Sequence, residues 1–146
     1  MTDLQPDLHR ILTDSRTIAV VGLSTKPERA SYQVAHYLQQ HGYRIVPVNP
    51  AYAGRPVLGE VCYATLMEAA AALAPLAIDV VDCFRKPEDI GPVALQAIAI
   101  KARCLWLQLG IVNQVAADQA RAAGLQVVMD RCMKIEHMRF NPSAAA

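Results

Sequence analysis

Apolar positions along this chain repeatedly switch period, and the switching predicts its elements. Leu4, Leu8, Ile11 and Leu12 make the helical stripe of a short leading helix. "TIAVVG", from Thr17, is an unbroken apolar run, the mark of a strand buried on both faces. Val34, Tyr37, Leu38 and His41 then recur at helical spacing, with Gly42 placed to stop the helix. "YRIVPVNP" is the second strand and ends in a turn at Asn49-Pro50, followed by a variable stretch from Gly54 to Tyr63. Thr65 and Glu68 have capping-box spacing, and Leu66, Ala69, Ala70 and Leu73 line one face before Pro75. "AIDVVDCF" is the third strand. Ile90, Val93, Ala94, Ala97 and Ile98 form another helical stripe, with Pro92 setting its start near Gly91. "RCLWLQLG" is the fourth strand, Asn113 an N-cap, Gly124 a C′ residue, "LQVVMD" the fifth strand, and "RCMKIEHMRF" an irregular tail.

Strands that alternate with helices, each too apolar for one-sided burial, imply a parallel sheet covered on both faces. Right-handed crossovers favour a doubly wound α/β sheet of five strands in the order 3-2-1-4-5. No linker, internal repeat or low-complexity tract divides the chain beyond the trailing Ala144 to Ala146, so residues 1–146 read as one domain with its core from about Leu12 to Phe140.

Composition narrows the function more than the fold. Apolar residues make up 53% and charged ones 18%, with a net charge of +1, so there is no general field for nucleic acid or an acidic membrane. Any anion site must be local. The polar N-terminus and broken apolar runs lack the pattern of a signal peptide or membrane span, and a cytoplasmic location is expected. Cys62, Cys83, Cys104 and Cys132 contain no C-x-x-C pair and are expected to be free thiols, with no metal site.

Open parallel sheets bind ligands at the carboxyl ends of their strands. Just past those ends stand Gly22-Leu23-Ser24, Asn49-Pro50, Phe84-Arg85, Gln108-Leu109-Gly110 and Asp130-Arg131-Cys132. Each group alone is ordinary loop punctuation; their convergence on one edge points to a ligand. The loop from Gly22 to Ser31 adds the hydroxyls of Ser24, Thr25 and Ser31 and the charges of Lys26 and Arg29 beside a helix start. Free N–H groups and the macrodipole at such a start suit a phosphate or diphosphate. G-x-x-x-x-G-K-[ST] and G-x-G-x-x-G are both missing, and the second strand ends in Asn49-Pro50 where an NAD site wants a carboxylate. An NADP site stays open through Arg29, Arg44 or Arg55.

"VGLSTKPERASYQVAHYLQQHGYRIVPVNP", "DVVDCFRKPED", "LWLQLGIVN" and "AGLQVVMDRCMKIEH" together resemble the small stand-alone CoA-binding proteins, relatives of the CoA-binding domain of the succinyl-CoA synthetase α subunit. The resemblance implies a Rossmann-like fold with coenzyme A, or an acyl-CoA, across the C-terminal edge. It puts the diphosphate on Gly22, Leu23, Ser24 and the loop through Lys26, Pro27, Arg29, Ser31 and Tyr32. Adenosine lies near Asn49, Pro50, Phe84 and Arg85, and pantetheine passes Gln108, Leu109, Gly110 and Ile111. The synthetases have a glycine-richer first loop, where this chain carries Lys26, Pro27 and Arg29.

The acid–CoA ligases use a phosphohistidine domain and a nucleotide-grasp partner, for which this chain has no room, so a binding module without chemistry of its own is expected. His137 is the histidine nearest the ligand edge by position, and a structural hydrogen bond is its expected role. Cys132, beside Arg131, is a candidate contact for the CoA thiol, through a mixed disulfide, against packing as the plainer role. The alternatives are an NADP-dependent enzyme and a non-catalytic subunit of an acyl-CoA-handling complex; a small-molecule ligand is expected, neither nucleic acid nor membrane, with the oligomeric state open.

Overall fold

A computed structural model describes residues 6–141. Along the chain run α1 (Leu8–Asp14), β1 (Thr17–Val21), α2 (Ala30–Gln40), β2 (Arg44–Val48), β3 (Pro56–Val57), β4 (Glu60–Val61), α3 (Leu66–Leu73), β5 (Val80–Cys83), α4 (Ile90–Ala99), β6 (Cys104–Leu107), α5 (Gln114–Ala122), β7 (Gln126–Val128) and α6 (Met133–Phe140). Leu4 and the trailing alanines lie outside the described residues.

Five strands form one parallel sheet in the order β2-β1-β5-β6-β7. The direction reverses beside β1, as in a 3-2-1-4-5 sheet. The segment in the outer place is the one ending at Tyr63, which makes a single parallel bridge to Val48. "AIDVVDCF" therefore takes the fourth place, on the far side of β1, and not the outer one. The variable stretch before Tyr63 is a short antiparallel hairpin of β3 and β4, which leaves only that bridge for the edge of β2.

The pleat sorts the core into two layers. Ala19, Val21, Val46, Val48, Val81, Cys83, Leu105 and Leu107 pack on one face with α3, α4 and α5. Ile18, Val20, Ile45, Val80, Cys104 and Trp106 pack on the other with α1, α2 and α6. Expected caps are in place: Thr65 Oγ1 accepts from Glu68 N–H at 3.1 Å, and Asn113 Oδ1 from Ala116 N–H at 3.0 Å.

The tail expected to be irregular is a helix, α6. Its buried residues are Met133, Glu136 and His137, at helical spacing, but two of the three are polar, so no apolar stripe announces it. Each polar member is satisfied. His137 Nδ1 and Tyr37 Oη are 2.8 Å apart, the structural hydrogen bond expected of that histidine. Glu136 meets Arg139 at 3.1 Å and Arg131 at 3.8 Å.

Among the described residues one buried side chain is not satisfied. Asp82 lies at the centre of the sheet, in register with Val20 on β1 and Trp106 on β6, and neither carboxyl oxygen has a partner. Burial pushes its pKa well above the ordinary carboxylate range, because an ionised oxygen there would lose its hydration. Unfolded, the group ionises near a pH of about 4. The folded chain thus holds the extra proton above that pH, and stability falls as pH rises from there towards the folded pKa. Asp82→Val should raise the free energy of unfolding by about 1–3 kcal/mol, the cost of an unpaired buried polar group, and by more at pH 8 than at pH 4. Denaturant melts at the two pH values check this; an equal or larger gain at pH 4 would contradict it.

Candidate functional site

Gly22 ends β1 with φ +88°, and a Cβ there would stand 2.6 Å from the carbonyl oxygen of Phe84. Only glycine lets the two strand ends come this close. Gly22 N–H donates to Val48 O at 2.8 Å and Phe84 N–H to Val21 O at 2.8 Å, so the end of β1 is tied to both of its neighbours. This is the point where strand order reverses, the place at which open α/β sheets leave a crevice.

The loop to α2 is ordered by its own hydroxyls. Ser31 Oγ accepts from Ser24 N–H at 3.0 Å, and Ser24 Oγ from Lys26 N–H at 3.0 Å. Arg29 stands at the N-cap of α2 without a side-chain capping bond, which leaves first-turn N–H groups unclaimed by a capping side chain. A cleft of about 300 Å³ opens here, lined by Gly22, Ser24, Lys26, Arg29, Ala30, Ser31, Tyr52 and Phe84. Lys26 and Arg29 are exposed, and among the described residues neither is in an ion pair.

Tyr52 is the member of this cleft that sequence reading missed. It sits on the one-turn 3-10 helix Pro50–Tyr52 that follows β2. Hydrogen bonding with the side chains of Thr25 and Ser24, and then the charges of Lys26 and Arg29, lower its pKa below the ordinary phenol value. The shift is chiefly the effect of the two hydroxyls, with the charges of Lys26 and Arg29 adding to it. No periodicity could have flagged Tyr52; the turn chemistry of Asn49-Pro50 carried the only hint.

The other expected residues divide between the cleft edge and the scaffold. Leu23 turns its side chain wholly into the core, and only its backbone borders the turn. Asn49 is a tie: its Nδ2 donates to Leu23 O at 3.1 Å and its Oδ1 accepts from Ala51 N–H at 3.0 Å. Pro27 and Pro50 are exposed, and Tyr32 and Arg85 partly so; none of the four lines the cleft. Gln108 is buried and its Oε1 accepts from Met133 N–H at 3.1 Å, so this side chain anchors α6. Leu109 and Gly110 are exposed beyond β6, while Ile111 packs partly on the core. Cys132 is buried at the N-cap of α6, and the guanidinium of Arg131 lies 3.8 Å from Glu136. All four cysteines are free thiols, and the described residues contain no His/Cys/Asp/Glu group able to hold a metal.

Comparison with known proteins agrees with this geometry. The chain is 37% identical over 131 residues to the uncharacterized protein YneT of Bacillus subtilis (strain 168), covering 90% of this chain and 92% of that one. A solved structure, a hypothetical protein from Pyrococcus horikoshii OT3, matches at 40% identity and a TM-score of 0.83, covering 95% of this chain and 98% of its own. At 21% identity and a TM-score of 0.66, 83% of the chain overlays 27% of the apo form of dinucleotide forming acetyl-coenzyme A synthetase 1 from Ca. Korarchaeum cryptofilum, a likeness of fold alone. The family model described as "CoA binding domain" matches residues 16–138. On that span, from the residue before β1 to within α6, the chain belongs to the CoA binding domain family.

Proposed function

We propose that the chain binds coenzyme A, or an acyl-CoA, along the C-terminal edge of the sheet and carries out no chemistry of its own. The observation that carries this reading is the cleft at Gly22, in which two cations with no ion-pair partner among the described residues flank the start of a helix in a chain of the CoA binding domain family. Its residues fit a diphosphate. First-turn N–H groups of α2 supply donors, Lys26 and Arg29 supply charge, and Ser24, Ser31 and Tyr52 supply hydroxyls. Gly22 itself lines the cleft, at the turn where β1 ends. Phe84, partly buried at the rim, offers a face for adenine, with Pro50 and Arg85 beyond it. The pantetheine arm then crosses the end of β5 towards Leu109, Gly110 and Ile111.

Coenzyme A carries an acid anhydride diphosphate and a reactive thiol, and in this reading the chain holds and presents them. His137 gives its Nδ1 to Tyr37 within the helical layer, and it is not among the residues lining the cleft. A nicotinamide cofactor is the weaker reading. Asn49 ends β2 where a ribose-binding carboxylate is wanted, and both of its side-chain atoms are already engaged.

Calorimetric titration should therefore give binding of CoA without competition from NADH. Competitive binding of NADH or NADPH at comparable affinity would favour the oxidoreductase alternative instead. Arg29→Ala should weaken CoA by about 1.5–3 kcal/mol, the worth of a charge-assisted hydrogen bond. Unchanged affinity in a variant with unchanged melting would mean that Arg29 points to solvent. Incubated with ATP, CoA and simple carboxylates, the purified chain should form no acyl-CoA. Turnover that is lost in His137→Ala would make the chain an enzyme.

A further inference from the structure

We infer that the loop between β6 and α5 is an acyl subsite, and that the ligand is an acyl-CoA with an aliphatic acyl group in preference to free CoA. The inference rests on the coenzyme A reading above and names the part of the ligand that reading leaves open.

The loop and the first turn of α5 expose three aliphatic side chains: Leu109 at 59%, Val112 at 50% and Val115 at 69%. A solvated connection is ordinarily polar and exposed apolar residues usually stand singly, whereas here three occur within one short stretch of chain. The stretch is also held in place. Gly110 N–H donates to Asp130 Oδ1 at 2.7 Å, and Ile111 N–H to Gln108 O at 3.0 Å. Asn113 Nδ2 donates to Pro87 O at 2.9 Å while its Oδ1 caps α5. Asp130 itself has φ +58°, the left-handed region that costs a residue with a Cβ, and its carboxylate is what pins Gly110. The loop is thus fixed by hydrogen bonds on both sides while its aliphatic side chains stay exposed.

Position supplies the occupant. The order β1-β5-β6 sets the end of β6 two strands from the end of β1, about 10 Å away at ordinary strand spacing. The same edge therefore runs from Lys26 and Arg29 at one end to Leu109, Val112 and Val115 at the other. A ligand that is a polyanion at its head and aliphatic at its tail matches this gradient. Free CoA, whose pantetheine arm ends in a thiol near Leu109, leaves Val112 and Val115 bare.

The test is calorimetric titration of the full chain with CoA, acetyl-CoA, butyryl-CoA and hexanoyl-CoA. Affinity should rise about twofold per added methylene, the effect of burying half of each CH₂. The double variant Val112→Ser/Val115→Ser should flatten that series and leave the affinity for free CoA unchanged. Equal affinities across the series, with CoA itself bound, would overturn the acyl subsite and leave the coenzyme A reading standing. Failure of every member to bind would instead overturn the coenzyme A reading. Sedimentation supplies one more outcome: a dimer that the double variant dissociates would assign the patch to a second copy of the chain and overturn the inference.

Discussion

The close approach of Gly22 to the carbonyl of Phe84 is the constraint on which the functional edge depends. A Cβ at residue 22 would sit 2.6 Å from that oxygen, nearer than any side-chain carbon tolerates, so β1 and β5 can end side by side only through glycine. Their ends are locked by Phe84 N–H to Val21 O, and Gly22 N–H to Val48 O ties in β2 as well. With three strand ends fixed together, the chain leaving β1 has to turn upward at a positive φ and re-enter as α2. The cleft forms over this junction. Its floor is backbone, and its walls are the loop of Ser24 to Ser31 and the turn bearing Tyr52. The same reversal of strand order that defines the fold therefore makes the cavity.

Charge is handled by partition. Arg131 and Arg139 are drawn to the buried Glu136, and Arg121 pairs with Asp118, so those cations are neutralised on the helices. Among the described residues Lys26 and Arg29 have no such partner, and they stand at the start of α2. A net charge of +1 does not reveal where along the fold such cations stand. Only the neighbourhood distinguishes them: a cation in reach of a carboxylate is spent, and one beside a helix N-terminus is repelled by the dipole unless an anion joins it. Hydrogen bonding with Thr25 and Ser24 first, and the charges of Lys26 and Arg29 after it, lower the pKa of Tyr52 beside them.

Legibility in the sequence followed the kind of interaction. The five strands of the parallel sheet and the first four helices were readable because each buries an apolar face, and the period of Val34, Leu38 or of Ala94, Ala97 is a direct imprint of that burial, while α5 was legible from its caps Asn113 and Gly124. The helix α6 was not, because it docks through Glu136 and His137, whose partners Arg139, Arg131 and Tyr37 compensate their burial but leave no hydrophobic signal. In the candidate site, Gly22, Ser24, Lys26, Arg29 and Ser31 were legible as a loop between a strand and a helix, and they do share one cleft. Gln108 and Asn49 were legible only as polar residues at strand ends. What they hold, Met133 N–H and Leu23 O, lies 25 and 26 residues away and is fixed by topology alone. The place of β5 beside β1 was hidden for the same reason: periodicity identifies a strand but carries no information on its neighbours.

Asp82 shows how far such long-range placement can set chemistry against local preference. In sequence it is the second of two aspartates in "DVVDCF", inside a strand whose apolar run predicts burial on both faces. The doubly wound sheet puts β5 in the middle, with β1 on one side, β6 on the other and helices across both faces, so the carboxyl has no route to water. Its neighbours in the register are Val20 and Trp106, and the indole N–H of Trp106 is already given to Arg131 O at 2.8 Å. That indole is engaged at the head of α6, where Gln108 also holds Met133, and both Asp82 oxygens stay without a partner. A proton on Asp82 is the remaining way to keep that position neutral.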